Sequence, residues 1–127
     1  MSETEFQLSD KLEDYLEAIF VLMKTPEDSV RIRDISAFLS VNKATTVAAV
    51  KKLKDACLIT QEHYGQIHLT SEGSRYAKKI FSKHKIIKKF LTHTLQIDPE
   101  TAEKEACLME HILSEQTISK MRQFLPQ

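Results

Sequence analysis

The chain has 127 residues, 42% of them hydrophobic, which is enough for one compact domain or for two small halves. No apolar run is long enough to cross a membrane, and the first ten residues are acidic where a secretory signal is basic and then apolar. Two cysteines are too few for a disulfide framework. We therefore expect a cytosolic protein without a membrane partner. The formal net charge is zero, but the charges are unevenly distributed along the chain.

The first predicted elements are a helix over residues 10 to 24 and a shorter helix from near Ile32 to near Ser40. In the first helix, apolar side chains recur every three or four residues, and Asp10 with Glu13 has the spacing of a capping box. With only two glycines and three prolines in the whole chain, the composition also favours helices.

A third predicted helix covers residues 43 to 56, with Asn42 as its N-cap. Val47, Val50 and Leu53 are spaced to form its buried side. Because so few residues separate this helix from the preceding short one, the pair has the spacing of a helix-turn-helix.

The pattern changes to short strands in "LITQEHYGQIHLTSEG". Strands around Ile59 and residues 67 to 69 flank a tight turn at Tyr64 and Gly65, and a hairpin in this position is the wing of a winged helix. The remaining predicted helices cover residues 71 to 94, capped by Thr70 or Ser71, residues 99 to 113, started by Asp98 and Pro99, and residues 115 to 125. The predicted fold is therefore mostly α with a small β-hairpin.

The central part of the chain is the candidate DNA-binding region. Residues 1–30 carry eight acidic and two basic side chains, residues 31–93 carry four and thirteen, and residues 94–127 carry six and three. A cationic block suits a surface that binds phosphates, although a solvated helix face would also explain the lysine runs. The second helix of a helix-turn-helix enters the major groove with its N-terminal residues nearest the bases. The candidate contacts are Arg31, Arg33, Asn42, Lys43, Ala44, Thr45, Thr46, Lys51, Lys52, Tyr64 and Gln66.

The segment "EACLMEHILS" contains candidate metal ligands. Cys107, Glu110 and His111 are three and four residues apart, so a helix would direct sulfur, oxygen and nitrogen atoms to one side. A buried thiol, a solvated carboxylate and a core histidine would produce the same pattern, and both interpretations remain open for this triplet alone.

Two other helices offer further candidates. Asp14 and Glu17 are one turn apart on the first helix, and His84 lies in the long helix. Ligands spread over three helices would complete a site only when the helices are correctly placed, which couples metal occupancy to conformation. Oxygen and nitrogen donors suit Mn²⁺ or Fe²⁺, and a thiolate shifts the preference toward Fe²⁺ or Zn²⁺.

Taken together, "LEDYLEAIFVL", "HLTSEG", "KHKIIKKFL" and "EACLMEHILS" resemble, in order and spacing, the DtxR/MntR family of metal-dependent transcriptional repressors. The resemblance covers residues 9 to 125. It implies a winged-helix DNA-binding domain over residues 1–70, a helical metal-binding and dimerisation domain over residues 71–127 that begins with the long linking helix, and a homodimer on palindromic double-stranded operators. The chain resembles a short form of the family, without the SH3-like third domain.

The resemblance also implies a set of ligands. By position they are Asp14, Glu17, His84, Cys107, Glu110 and His111. Cys107 stands where manganese-type members have glutamate and matches the cysteine of iron-type members, whereas Asp14 stands where the iron type has methionine. Lys88 replaces a carboxylate of the iron type's ancillary site, and Glu103 is a candidate additional ligand. The implied cofactor is Mn²⁺ or Fe²⁺, with Zn²⁺ as a further candidate.

The resulting hypothesis is a metal-responsive repressor of metal-uptake genes rather than an enzyme. One alternative is a winged-helix regulator controlled by thiol oxidation at Cys107 instead of metal. A second is a small metal hydrolase that uses the same ligands with an open coordination position, for which no substrate-binding motif is visible.

Overall fold

The structure, a computed structural model, describes residues 8–24, 28–63 and 65–126. The described elements are α1 (Asp10–Leu22), α2 (Ile32–Leu39), α3 (Lys43–Asp55), β1 (Ile59–Gln61), β2 (Ile67–Leu69), α4 (Ser71–Lys89), a π-helical turn (Phe90–Thr94), α5 (Pro99–Met109) and α6 (Glu115–Gln123). The predicted mostly helical fold with one hairpin is confirmed. The chain divides within α4 into two compact units, Met1–Lys78 and Lys79–Gln127. None of the described helices is long and apolar enough to cross a membrane.

Local hydrogen bonds explain where several helices begin. The Asn42 side chain accepts the Thr45 N–H at 2.8 Å at the start of α3, and the Asp98 carboxylate accepts the Thr101 N–H at 3.0 Å at the start of α5. Both satisfy a donor that the first helical turn leaves without a partner. These two predicted N-caps are confirmed.

The capping box predicted for α1 is wrong. Ser9 is the N-cap, and its hydroxyl accepts a backbone N–H at 3.3 Å, which makes Asp10 the first helical residue. The Glu13 carboxylate is buried and accepts a hydrogen bond of 2.6 Å from the Tyr76 hydroxyl. A tertiary partner has therefore taken the side chain that the sequence pattern assigned to the helix end.

The predicted buried face of α3 is correct at Val50 and Leu53 and wrong at Val47. Thr46 and Ala49 complete the buried stripe, whereas Val47 is 48% exposed. At 100° per residue, Val47 points about 120° away from Leu53, while Thr46 lies seven residues before it and on the same side. The three-residue spacing between Val47 and Val50 did not show which side of the helix packs against the core.

The wing forms as predicted, with β1 antiparallel to β2 and Ile59 opposite Leu69. The predicted turn residue Tyr64 lies outside the described residues. The hairpin leads into α4 through Gly73, where a Cβ atom would lie 1.8 Å from the Leu58 carbonyl oxygen. Only glycine allows the backbone of α4 to approach the hairpin this closely.

The two units have separate apolar cores. Leu16, Ile19, Ile35, Leu53 and Ile67 are among the fully buried side chains of the first unit. The core of the second unit contains Ile87, Leu91, Ala102, Ala106 and Ile118. In this second unit α4 ends at Lys89 and continues as the π-helical turn, and α5 ends at Met109, four residues before the predicted end.

Candidate metal centre and DNA-binding surface

His84 lies on α4 in the second unit, and its imidazole bridges two carboxylates. Nδ1 is 2.7 Å from Glu110 Oε1, and Nε2 is 3.1 Å from Glu103 Oε1. The hydrogen bond with Glu110 raises the pKa of His84 to about 9, against the opposing effect of burial and with a further contribution from Glu103. Because a neutral imidazole has a single N–H, two carboxylate acceptors require the imidazolium form.

Glu110 follows the last residue of α5 and is 2% exposed. His84 holds one of its oxygens, whereas Oε2 is buried without a hydrogen-bond partner among the described residues. His111 Nε2 lies 3.6 Å from this Oε2 atom. A buried carboxylate oxygen without a donor is unfavourable, which makes this oxygen a ready acceptor for a cation.

Glu103 and Cys107 lie one helical turn apart on α5. The Cys107 sulfur is 3.7 Å from Glu103 Oε2, and a ligand atom from each of His84, Glu103 and Cys107 lies within 4.8 Å of the others. Cys107 is exposed, whereas Glu110 is buried beyond the end of the helix. α5 ends at Met109, but Glu110 keeps a right-handed helical backbone conformation and donates its N–H to the Ala106 carbonyl, so the common stripe of Cys107, Glu110 and His111 stays a prediction.

Lys88 provides a positive charge beside this group. Its Nζ atom is 3.0 Å from Glu103 Oε1, the oxygen that also faces His84. Burial acts to raise the pKa of Glu103, but the hydrogen bonds with Lys88 and His84 outweigh it and lower the pKa. We call His84, Glu103, Cys107, Glu110 and His111 the α4–α5 cluster.

Sequence reasoning named Glu103 only as an additional ligand and did not predict its direct contact with His84. Its position four residues before Cys107 is a signal that could have found it, since both side chains then share one side of α5. The early end of α5 also had a signal, because Ser114 caps α6 by accepting the Thr117 N–H at 3.2 Å.

Asp14 and Glu17 lie one turn apart on α1, in the first unit. This spacing places their side chains on neighbouring positions of the helix surface. Their part in a metal site stays a prediction from the family resemblance.

The helix-turn-helix consists of α2, a turn through Ser40, and α3. Ser40 adopts a left-handed backbone conformation with a φ of 57°, and its N–H bonds back to the end of α2. Asn42 then starts α3 with an extended backbone. These local conformations set the angle at which α3 leaves the turn.

Most of the predicted DNA contacts in this unit reach solvent. Asn42, Lys43, Ala44, Thr45, Lys51, Lys52 and Arg33 are exposed, and Arg31 and Gln66 are partly exposed. Thr46 is a correction: it is fully buried, and its hydroxyl accepts from Ser36 Oγ at 2.8 Å and donates to the Asn42 carbonyl at 3.2 Å. Thr46 thus holds α2 against α3. The remaining predicted contact, Tyr64, lies outside the described residues.

Two family models match the chain. The model "Iron dependent repressor, N-terminal DNA binding domain" matches residues 7–67, and the model "Iron dependent repressor, metal binding and dimerisation domain" matches residues 70–127. The second match contains the whole α4–α5 cluster, and the first contains the helix-turn-helix and most of the wing.

Individual relatives agree with these matches. An uncharacterised HTH-type transcriptional regulator of Methanocaldococcus jannaschii is 35% identical over 93% of this chain and 94% of its own length. The transcriptional regulator MntR of Escherichia coli O6:H1 is 32% identical over 89% of this chain and 72% of its own length. A solved structure of the manganese regulator SloR has 26% identity and a TM-score of 0.78, and it covers 89% of this chain and 52% of the solved one, so this chain spans about half of that protein. The chain belongs to the iron dependent repressor family, the DtxR/MntR family that its motifs resemble.

Proposed function

We propose that this protein is a metal-responsive, DNA-binding transcriptional repressor of metal-uptake genes, and not an enzyme. The observation that carries the proposal is the α4–α5 cluster, in which a buried histidine lies between two carboxylates and a buried oxygen of Glu110 has no hydrogen-bond partner among the described residues. The cluster lies in the segment that matches the metal-binding model, and a helix-turn-helix precedes it in the chain.

The residues of the α4–α5 cluster fit a divalent cation. His84, Glu110, His111 and Cys107 supply nitrogen, oxygen and sulfur donors, with Glu103 as an additional oxygen donor. A bound metal would supply the positive charge that the buried Glu110 carboxylate otherwise takes from protonated His84. For His84 to act as a ligand its imidazole must be neutral, so its proton must leave. Asp14 and Glu17 join this ligand set on the strength of the family resemblance.

For the metal we propose Mn²⁺ or Fe²⁺, with Zn²⁺ as a further candidate. One relative of known structure is named as a manganese regulator, and a structure of another, the regulator ScaR, is described as having bound Zn²⁺. A carboxylate and imidazole donor set suits Mn²⁺ and Fe²⁺, whereas the Cys107 thiolate favours Fe²⁺ or Zn²⁺. Cys107 is thus the residue we expect to select among these ions.

For DNA binding we propose a cytoplasmic homodimer on a palindromic duplex, with residues 1–70 as the reading domain and residues 71–127 as the metal-binding and dimerisation domain. The exposed lysines of α3 supply positive charge for phosphate contacts, and Arg31, Arg33 and Gln66 are proposed to contact the backbone beside them. The alternative regulator controlled by oxidation of Cys107 gains no support from the relatives.

The proposal is tested by titrating chelator-stripped protein with Mn²⁺, Fe²⁺ and Zn²⁺ in turn by anaerobic calorimetry. The same samples are then assayed by fluorescence anisotropy on a duplex selected from a random library. We expect metal to increase DNA affinity in the natural chain and in His93→Ala, a matched control that removes an exposed histidine. His84→Ala should lose the metal response.

Metal-stimulated DNA binding that persists in His84→Ala would show that the α4–α5 cluster is not the sensor. DNA binding that ignores all three metals but disappears after mild peroxide treatment, and is protected in Cys107→Ala, would favour the thiol-oxidation alternative. Turnover of simple phosphate or carboxylate esters by the metal-loaded protein would favour the hydrolase.

A further inference from the structure

The solvent side of α3 carries methyl groups where a base-reading helix commonly carries long polar side chains. The buried stripe of α3 consists of Thr46, Ala49, Val50 and Leu53. In the first two turns, Ala44 and Ala48 lie opposite this stripe and Val47 lies about a third of a turn from it, and all three are exposed. We call these three residues the methyl face. Val47, at 48% exposed, contributes the largest apolar side chain of the methyl face.

Cationic and polar side chains border the methyl face. Lys43 and Thr45 lie beside its first turn, and Lys51 and Lys52 follow in the next turn, all four exposed. Asn42, the polar residue at the start of the helix, has its side-chain oxygen engaged by the Thr45 N–H at 2.8 Å. An apolar strip bordered by lysines complements a surface that has phosphates at its rims and an apolar group at its centre.

The major groove of DNA is such a surface wherever thymine occurs. Thymine alone presents a methyl group at the floor of this groove, and alanine, threonine methyl and similar groups contact it. The N-terminal turns of the second helix of a helix-turn-helix are those that approach the bases. The methyl face occupies these turns of α3.

We propose that the methyl face determines sequence specificity by packing against thymine methyl groups, with Val47 as the main contact. This inference rests on the proposed DNA-binding function and deepens it, since it assigns the base class that is read and the side chain that reads it. Burying one exposed methyl group on binding increases the affinity by about fourfold. Each contacted thymine methyl should therefore contribute a factor of that order.

The test uses the full chain with Mn²⁺ and a duplex selected from a random library. Each thymine of the selected site is replaced in turn by deoxyuracil, which lacks only the C5 methyl group. For the natural chain we expect about a fourfold loss of affinity at one or two thymines in each half-site. For Val47→Ala, which keeps one methyl group at this position, we expect a clearly smaller loss of affinity on replacing thymine by deoxyuracil than for the natural chain. The substitution replaces valine with a better helix former at an exposed position, so folding should be retained.

Val21→Ala is the matched control, because Val21 is also an exposed valine on a helix of the first unit. It should show the same deoxyuracil effect as the natural chain. The inference fails if deoxyuracil has no effect anywhere in the site, or if its effect persists undiminished in Val47→Ala; in both cases DNA binding itself, and with it the proposed function, is retained. Failure to bind or select any duplex would instead overturn the proposed function together with the inference.

Discussion

The two units treat their buried polar groups differently. In the first unit, Thr46 is held by Ser36 and by the Asn42 carbonyl, and Glu13 receives a hydrogen bond from Tyr76. In the second unit, buried His84 faces two carboxylates, and a Glu110 oxygen is left without a hydrogen bond among the described residues. The first arrangement is complete in the protein alone, whereas the second needs a positive charge, carried by a proton or by a metal ion.

The difference between the two units indicates where a signal enters the protein. Buried groups that already have hydrogen-bond partners, such as Thr46 and Glu13, gain little from a ligand, but a unit whose buried carboxylate oxygen lacks a hydrogen bond changes its free energy when a cation arrives. We therefore expect the second unit to respond to metal and pH, and the first unit to keep its own fold under both conditions.

The largest expected effect is on metal binding. At a free metal concentration of a thousand times Kd, the ligand should stabilise the unit that binds it by about 4 kcal/mol. Amide hydrogen exchange should show this as slower opening of α5 and of the part of α4 around His84, with α2 and α3 unchanged. If metal slowed amide exchange in α2 and α3 as much as in α5, the second unit would not be the part that responds to metal. In the control His84→Ala, metal should not change the exchange rates.

The next effect is on pH dependence of the metal-free protein. The pKa of His84 is raised from 6.5 to about 9, so its stabilising contribution is complete below pH 6.5 and is lost as pH rises through 9. The loss should be no more than about 3 kcal/mol in the free energy of unfolding of the second unit. Denaturant titrations from pH 6 to 9.5 measure it, with His93→Ala as the control that keeps the slope.

Metal affinity should increase as the pH rises over the same range, because a proton and the metal compete for His84. A pH slope that is unaltered in His84→Ala would mean that another group is responsible for it.

A smaller effect is expected in the first unit for Tyr76→Phe. The Tyr76 hydroxyl donates to Glu13 at 2.6 Å and accepts the Leu8 N–H at 2.8 Å, so its removal should lower the free energy of unfolding by about 2 kcal/mol. A double-mutant cycle with Glu13→Gln, read by urea unfolding, measures the coupling of the pair. If the changes in the free energy of unfolding of the two single variants simply added in the double variant, this contact would not stabilise the unit.

The smallest effect is expected for Lys51→Ala on the surface of the first unit. Loss of one phosphate contact should reduce the slope of log affinity against log salt concentration by about 1, with little change in sequence preference. Anisotropy titrations over a salt series measure the slope. As a control, Lys104→Ala removes an exposed lysine of the second unit and should leave the salt slope unchanged. If the natural chain and Lys51→Ala had equal slopes, Lys51 would not contact the DNA.

The sequence predicted best the features that depend on neighbouring residues. Asn42 and Asp98 start helices through hydrogen bonds that span three residues, and the wing strands follow from apolar residues on both sides of a short turn. The same local information was insufficient for Glu13, whose carboxylate could serve a helix end or a distant hydroxyl. The partner that it found, Tyr76, is 63 residues away.

The candidate metal ligands show the same limit. The family motif predicts His84, Cys107, Glu110 and His111 as ligands, but it does not predict how they are arranged. Cys107 is exposed whereas Glu110 is buried, and packing of α4 brings His84 into contact with Glu103 and Glu110. Domain limits and the contribution of α1 to the ligand set stay predictions.

The helices and the hairpin, the family, and the residue types available for metal and DNA can therefore be read from the sequence alone. Hydrogen bonds within a turn and the spacing of apolar residues are properties of short segments, so they can be read in chain order. The exposure of Val47, the contact of Thr46 with a second helix, and the position of His84 between two carboxylates depend instead on tertiary packing. Burial is a property of the whole packed unit, and it is burial that turns an available side chain into a buried charge, a packing contact or a free surface.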